Sequence, residues 1–329
     1  MKKLFLHIGL HKTGTTTLQR FLLRNRSNLR NSGYLYPQIG IPGKLAAQHN
    51  LGWLTINSKK ANPAFGTWKE VHEEIDNSSL DNIIISAESF GLANRKAIKI
   101  LKSELKFYDV KIIVYLRRQD RILESQYIQH LKMGILPKSD LDDILFFIKK
   151  NKVKYDYYKL LEPWKQEFGI SNIIVRPLEK FQIPSTHYDL LKIVGVNDFS
   201  HFNNVENKNV KPGIKALSAL KIISKIYESQ PQKKKECLRI IVNLAEKYWS
   251  EEKKISYRLL SYLDASKILN WYKQSNLAVA QEYLERKDGV LFYEQLESYK
   301  NYNFDVKDLS QEELLGLIQV IIGTERGAS

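Results

Sequence analysis

The sequence predicts an α/β protein with a central, mostly parallel sheet flanked by helices. Apolar runs at residues 4–9, 82–88 and 110–117 are typical of strands buried on both faces, and residues 172–177 form a fourth such run. Helical patterns separate these runs, and strands that alternate with helices favour a parallel sheet. From about residue 186 onward the apolar residues follow a helical period, which predicts a helical carboxyl-terminal region.

The helix-period segments divide into two sets. Those between the strands lie at 14–31, 94–106, 118–132, 139–150 and 155–168, and the later ones lie at 186–194, 212–229, 233–249 and 256–286. We therefore expect an α/β core over residues 1–200 and a helical region over residues 201–329, packed on the core as one structural domain.

Composition limits the class of protein. Apolar residues make up 43% and aromatic residues 11% of the 329 residues, which excludes general disorder. No apolar run reaches the roughly 20 residues of a membrane span, and no cleavage site follows the first run. We expect a cytoplasmic protein, with attachment to the inner face of the membrane left open. The single cysteine, Cys237, excludes an internal disulfide and a cysteine-based zinc site.

The net charge of +15 favours an anionic partner. The lysines are spread along the whole chain, so the charge does not choose between nucleic acid, lipid headgroups and an acidic ligand. No RNA or DNA motif is recognisable, and we expect no nucleic-acid partner.

A glycine- and threonine-rich segment, GLHKTGTTT, follows the first apolar run and opens a helix. Such a loop turns backbone N–H groups toward an anion, and the helix amino terminus adds its positive dipole end. Thr13, Thr15 and Thr16 can donate hydroxyls to phosphate oxygens, and Thr15 or Thr16 can instead cap the helix. Its two glycines keep the four-residue gap of the P-loop, but Lys12 lies inside the loop instead of after Gly14. We expect Lys12 to reach past a bound phosphate to a leaving oxygen.

Polar side chains also occur at two later strand ends. Arg117 ends one apolar run, and Ser125 lies eight residues later, in the next helix. An arginine fork with a serine hydroxyl suits a second phosphate, although a solvated helix face gives a similar pattern. Glu88 is a candidate general base or a turn cap, and His49, in the Pro/Gly-rich segment 36–53, is a candidate base or a structural histidine.

These features resemble the 3′-phosphoadenosine 5′-phosphosulfate (PAPS)-dependent sulfotransferases. After its first strand, that family has a proline, a lysine, a Ser or Thr, a glycine and two further Ser or Thr residues; here the loop reads HKTGTT, with His11 replacing proline. The family also has an arginine at a strand end and a serine eight residues later, as Arg117 and Ser125 are here, with Gln119 replacing a common proline. Later stretches, among them YDYYKLLEPWKQEFG and SNLAVAQEYLERKDGVLF, resemble bacterial sulfotransferase-like proteins near surface-polysaccharide genes. The resemblance covers most of the chain.

The resemblance implies transfer of a sulfuryl group from PAPS to a hydroxyl or amino group, with 3′,5′-ADP as product and no metal. It implies that Lys12 contacts the bridging oxygen and that Arg117 and Ser125 bind the 3′-phosphate. It also implies a Glu or His base for in-line attack, for which Glu88 is preferred over His49. The residues of the loop that would bind the 5′-phosphosulfate are His11, Lys12, Thr13, Gly14, Thr15, Thr16 and Thr17.

Two other classes stay open. A P-loop kinase or another nucleotide-dependent phosphotransferase needs Mg²⁺ and an acidic residue after an apolar strand, and the lysine position argues against it. A non-catalytic polyanion-binding protein explains the charge but not the ordered pair of anion motifs.

For a sulfotransferase, the bacterial resemblance favours a carbohydrate of a surface polysaccharide or glycan as acceptor. A small aromatic alcohol, a lipid headgroup or a peptide tyrosine also stays open, as does the oligomeric state.

Overall fold

The computed structural model describes residues 1–10, 12–205, 211–249, 257–296 and 309–326. Within these ranges, five strands form one parallel sheet in the order β2-β3-β1-β4-β5. The strands are β1 (Lys3–His7), β2 (Tyr34–Leu35), β3 (Asn82–Ser86), β4 (Asp109–Leu116) and β5 (Ile173–Pro177). The predicted fold class, α/β with a central parallel sheet flanked by helices, is confirmed. Only the edge strand β2 was not predicted, because two residues are too few to form a pattern.

Fifteen α-helices lie in the described residues. They are α1 (Thr15–Arg24), α2 (Arg26–Asn31), α3 (His49–Thr55), α4 (Trp68–Asp76), α5 (Arg95–Glu104), α6 (Gln119–Lys132), α7 (Lys138–Leu141), α8 (Ile144–Asn151), α9 (Tyr157–Phe168), α10 (Thr186–Val194), α11 (Ile214–Ile226), α12 (Pro231–Tyr248), α13 (Tyr262–Trp271), α14 (Lys273–Leu284) and α15 (Gln311–Arg326).

Three of the segments with a helical period each form a pair of helices and not one continuous helix. The segment 14–31 forms α1 and α2 because the buried Asn25 side chain donates to the carbonyls of Phe21 (3.0 Å) and Asn203 (2.9 Å), in competition with the helical pattern. The segment 139–150 forms α7 and α8, and the Asp143 carboxylate caps α8. The segment 256–286, whose first residue lies outside the described ranges, forms α13 and α14.

Helices α3 and α4 were not predicted, whereas α15 lies in the carboxyl-terminal region that was predicted to be helical. A signal for α4 was present: the Thr67 N–H and hydroxyl both donate to the Glu70 carboxylate, in a capping box three residues apart. Helix α3 has seven residues, which is too short for a clear helical period.

The chain divides into two compact units, each made of three chain segments. The sheet unit comprises Met1–Arg118, Lys154–Lys208 and Tyr272–Glu294. The helical unit comprises Gln119–Val153, Asn209–Trp271 and Gln295–Ser329. The sheet unit therefore takes helix α14 from the region after residue 200, and the expected boundary at that residue stays a prediction.

In the sheet unit, both faces of the sheet are buried. Phe5, Ile84, Ile113 and Tyr115 belong to one core cluster, which also contains apolar residues of α1, α2 and α10. The alternate residues of the strands, such as Leu4, are also fully buried, as expected for a parallel sheet covered on both faces.

In the helical unit, α6 packs against α8, α11 and α13. A buried ionic network joins α6 to the segment before α13. The Arg258 guanidinium donates to Glu124 (2.9 Å) and to Asp120 (2.8 Å), and the Lys211 ammonium pairs with Glu124 (2.9 Å). Burial alone raises the pKa of Glu124, but Lys211 and Arg258 outweigh it and hold that pKa below its usual value. The network stabilises the contact between these segments as long as each buried charge keeps its oppositely charged partner.

Candidate functional site

The loop between β1 and α1 has a backbone conformation that few residues other than glycine adopt. Lys12 has φ 70° and Gly14 has φ 81°, both in the left-handed region. Gly14 is the N-cap of α1, so the N-cap residue has no side chain that could cap this helix. The suggestion that Thr15 or Thr16 caps the helix is therefore wrong. The first N–H groups of α1 have no intrahelical acceptor, so this helix end can bind an anion. His11, predicted as part of this site, lies outside the described residues.

Two of the threonine hydroxyls bond within the protein. The Thr13 hydroxyl donates to the Leu10 carbonyl (2.7 Å), and the Thr15 hydroxyl donates to the Glu88 carboxylate. Both threonine side chains are buried, whereas Thr16 and Thr17 are half-buried. We infer that the loop would hold a phosphate chiefly through its backbone N–H groups, with Thr13 and Thr15 fixing its shape.

On one side, the loop is bonded to the residue that follows β4. The sheet order changes direction between β1 and β4, and ligands of parallel sheets bind at such points, beyond the carboxyl ends of the strands. The guanidinium of Arg117 donates to the Lys12 carbonyl (3.1 Å). The buried Tyr157 hydroxyl donates to the carbonyl of Arg117. The structure thus brings Arg117 to Lys12, and sequence reasoning missed Tyr157, which lies in a helix forty residues later.

Ser125, predicted as the partner of Arg117, lies in α6 of the helical unit and is half-buried. That Ser125 and Arg117 bind a phosphate together stays a prediction from the sequence.

On the other side, the loop is bonded to Glu88, the first residue of a 3-10 turn, Glu88–Leu92, after β3. This turn approaches the loop closely at Gly91. A Cβ atom on Gly91 would lie 2.5 Å from the carbonyl oxygen of Gly9 and 2.9 Å from that of Ile8, so only glycine fits. The close approach holds Glu88 against the start of the loop between β1 and α1.

Glu88 and His49 line the same cavity of about 370 Å³, together with Thr16. His49 begins α3, and its ring stacks on Trp53 with centroids 5.9 Å apart. The structure thus places both candidate bases beside the amino terminus of α1, although they are 39 residues apart in the sequence. A cavity of this size is typical of small-molecule sites.

A buried polar group lies beneath this site. His7, at the end of β1, is fully buried, and its Nδ1 lies 2.8 Å from the Ser86 hydroxyl. Among the described residues, His7 Nε2 has no hydrogen-bond partner. Burial lowers the pKa of His7 to about 4, against a smaller raising effect of Glu88. His7 is therefore neutral at physiological pH. No motif in the sequence singles out His7.

No group of three or more His, Cys, Asp and Glu residues in the described ranges is arranged to hold a metal ion. In the same ranges, no helix combines the length and the apolar character that crossing a membrane requires.

Comparisons with known proteins identify no family. No family model matches the chain. A curated relative, an uncharacterized protein of Archaeoglobus fulgidus, is 29% identical over 225 residues, which cover 66% of this chain and 58% of that protein's length. The crystal structure of a sulfotransferase from Alicyclobacillus acidocaldarius is similar over 68% of this chain and 93% of that chain, with 15% identity and a TM-score of 0.39. We rest no inference on likenesses of this degree.

Proposed function

We propose that the chain is a PAPS-dependent sulfotransferase. One observation carries the proposal: the lysine-containing loop is hydrogen-bonded to Arg117 on one side and to Glu88 on the other. The residues that would bind the donor and the residue that would activate the acceptor therefore meet at the carboxyl ends of β1, β3 and β4.

Each residue then has a role in the transfer. The N–H groups at the start of α1 would bind the 5′-phosphate, and Arg117 would bind the 3′-phosphate, with Ser125 as its expected partner. The Lys12 ammonium would stabilise the bridging oxygen as the bond from this oxygen to sulfur breaks. The acceptor hydroxyl would attack sulfur from the opposite side and lose its proton to the base.

Glu88 is the base that we favour, with His49 as the alternative. The Thr15 hydroxyl bonds to Glu88 Oε1, so the same helix that would bind the phosphate orients this carboxylate. Both Glu88 and His49 line the 370 Å³ cavity, which would receive the acceptor. A carbohydrate of a surface polysaccharide or glycan is the acceptor that the sequence resemblance favours, and a cytoplasmic location stays an expectation.

Titration calorimetry tests the proposal directly. We expect 3′,5′-ADP to bind without Mg²⁺ and about 10-fold or more tightly than 5′-AMP, because a charge-assisted hydrogen bond to the 3′-phosphate contributes about 1.5–3 kcal/mol. Arg117→Gln should bring the affinity for 3′,5′-ADP close to that for 5′-AMP and leave 5′-AMP binding little changed. Arg95→Gln, at an exposed position at the start of α5, is the matched control.

Two results contradict the proposal. A strict need for Mg²⁺ and ATP favours a phosphotransferase, which is the main alternative. Equal affinity for 3′,5′-ADP and 5′-AMP in the unsubstituted protein means that no 3′-phosphate site exists.

A further inference from the structure

The cavity beside Glu88 and His49 has a second set of lining residues, which are basic. Arg20 and Arg24 project from α1, and Lys44 comes from the loop before α3. Leu23 and Leu45 add apolar surface. Of the described residues that line the cavity, Glu88 is the one carboxylate, so three cations face one anion.

Within the part of the chain that the structure describes, the three cations form no ion pair. Arg20, Arg24 and Lys44 are exposed, and none of them forms an ion pair or a side-chain hydrogen bond with another described residue. Other cations of the sheet unit do have such partners. Arg26, two residues after Arg24, lies 3.8 Å from the Glu74 carboxylate.

The two arginines are not placed to stabilise their own helix. They are four residues apart, so they are neighbours on the helix surface, and like charges at this spacing repel. Helix α1 contains no acidic residue that would offset the repulsion. Arg24 lies in the last turn, where the helix dipole favours a cation, but Arg20 lies a turn earlier and gains little from the dipole. A ligand that carries negative charge would relieve the repulsion.

We propose that the acceptor is an acidic glycan, one that carries a carboxylate or another anionic group near the hydroxyl that receives the sulfuryl group. This inference rests on the proposed function, because it assigns the cavity to the acceptor. Arg20, Arg24 and Lys44 bind the anionic group, the apolar side chains contact the sugar rings, and the chosen hydroxyl faces Glu88. The three cations thus select charged over neutral sugar chains and orient the acceptor toward the base.

The test compares two probes that differ only in charge: a hyaluronan hexasaccharide, which carries glucuronate carboxylates, and the same hexasaccharide with its carboxylates reduced to alcohols. Binding is measured by calorimetry on the full chain saturated with 3′,5′-ADP. We expect the carboxylated probe to bind about 10-fold more tightly at low salt, and this preference should shrink as salt is added. Arg20→Gln with Arg24→Gln should abolish the preference and leave the affinity for 3′,5′-ADP within about two-fold.

A matched control is available on another helix of the sheet unit. Arg95 and Lys99 are also four residues apart and exposed, but they do not line the cavity. Arg95→Gln with Lys99→Gln changes the net charge by the same amount and should keep the full preference for the carboxylated probe. Lys44→Gln alone should reduce the preference, which tests the cavity through a segment outside α1.

Three results overturn the inference. Equal binding of the two probes, or no binding of either, means that the cavity does not select acidic sugars. The same loss in the control pair means that net charge alone attracts the probe. A loss of 3′,5′-ADP affinity as large as the loss for the probe means that the arginines serve the donor. Failure of the proposed function is distinguishable, because the nucleotide then does not bind while charge-dependent binding of the probe is still measurable.

Discussion

Single side chains decide the shape and the charge of the site. Thr13 and Thr15 turn their hydroxyls into the protein, and His7 stays neutral under Glu88 because burial lowers its pKa to about 4. A charged imidazolium would be attracted to the Glu88 carboxylate, which raises the pKa of His7 but by less than burial lowers it. The burial of His7 therefore keeps a positive charge away from Glu88 at neutral pH.

The buried His7 should also make stability depend on pH. The pKa in the folded state is about 4, below the usual value of 6.5, so the unfolded chain binds more protons between these values. Stability is then lost as the pH falls from about 6.5 toward 4, and the loss from this group is about 2 kcal/mol at pH 5. Urea unfolding at pH 7 and pH 5 should show this extra loss in the unsubstituted protein but not in His7→Gln. His187, whose pKa burial also lowers, is present in both proteins and cancels. The same loss in both proteins would contradict the assignment.

Substitution of the two candidate bases should separate their roles. Glu88→Gln keeps the size of the side chain and an oxygen to accept from Thr15, so the loop should keep its shape. The rate of labelled sulfate transfer from saturating PAPS to an oligosaccharide should fall about 10²- to 10⁴-fold, which is the usual contribution of a general base. His49→Gln should cost less than about 10-fold. The reverse order would assign the base to His49, and small losses in both variants would mean that neither residue is the base.

At the level of elements, the two units use different means to join segments that are distant in the chain. In the sheet unit, the turn Glu88–Leu92 meets the loop after β1 through the close approach of Gly91 to Gly9. In the helical unit, α6 is joined to the segment before α13 by buried ion pairs. Buried ion pairs depend on every partner, because removal of one leaves an uncompensated charge in the interior.

Removal of Arg258 should therefore destabilise the protein strongly. Arg258→Met removes the guanidinium that bonds to the buried carboxylates of Asp120 and Glu124, and the expected loss is about 3–5 kcal/mol in the free energy of unfolding. Urea unfolding followed by circular dichroism measures the loss. Arg239→Met, at an exposed position in α12, is the control and should change stability by less than about 0.5 kcal/mol.

A second measurement separates charge from packing. When Asp120→Asn and Glu124→Gln are added to Arg258→Met, the two buried positions that lost the guanidinium are neutral, and much of the stability should return, since Lys211, which loses Glu124, is only partly buried. If the triple variant is as unstable as Arg258→Met, the loss comes from the packing of the guanidinium and not from its charge.

For the whole molecule, the sequence predicted those features of the fold that depend on patterns within short segments. The four long strands, the alternation with helices and the loop with Lys12 and Gly14 all have short-range signals. Contacts between distant segments have no such signal. Neither the bond from Tyr157 to Arg117 nor the shared cavity of Glu88 and His49 follows from any spacing in the sequence. Helix α1 ends early for the same reason, because Asn25 bonds to the carbonyl of Asn203.

Other long-range contacts, those of α14, determine where the chain can be divided. The sheet unit includes residues 272–294, so a boundary at residue 200 removes α14 from it. Helix α14 packs against α9: the Ser275 hydroxyl accepts from the Tyr158 N–H (3.0 Å), and Glu282 pairs with Lys165 (2.9 Å). Val279, on the same helix, is fully buried.

A fragment of residues 1–200 should therefore fail to reach the native state. Without α14, the face of α9 that it covers is exposed, and marginal stability does not tolerate the loss of a packed helix. We expect the fragment to show no cooperative urea unfolding by near-ultraviolet circular dichroism and no measurable affinity for 3′,5′-ADP. Residues 1–296, which keep α14, are the matched comparison and should keep more of both properties. A fragment of residues 1–200 that unfolds cooperatively and binds the nucleotide as the full chain does would show that the α/β core is complete without α14.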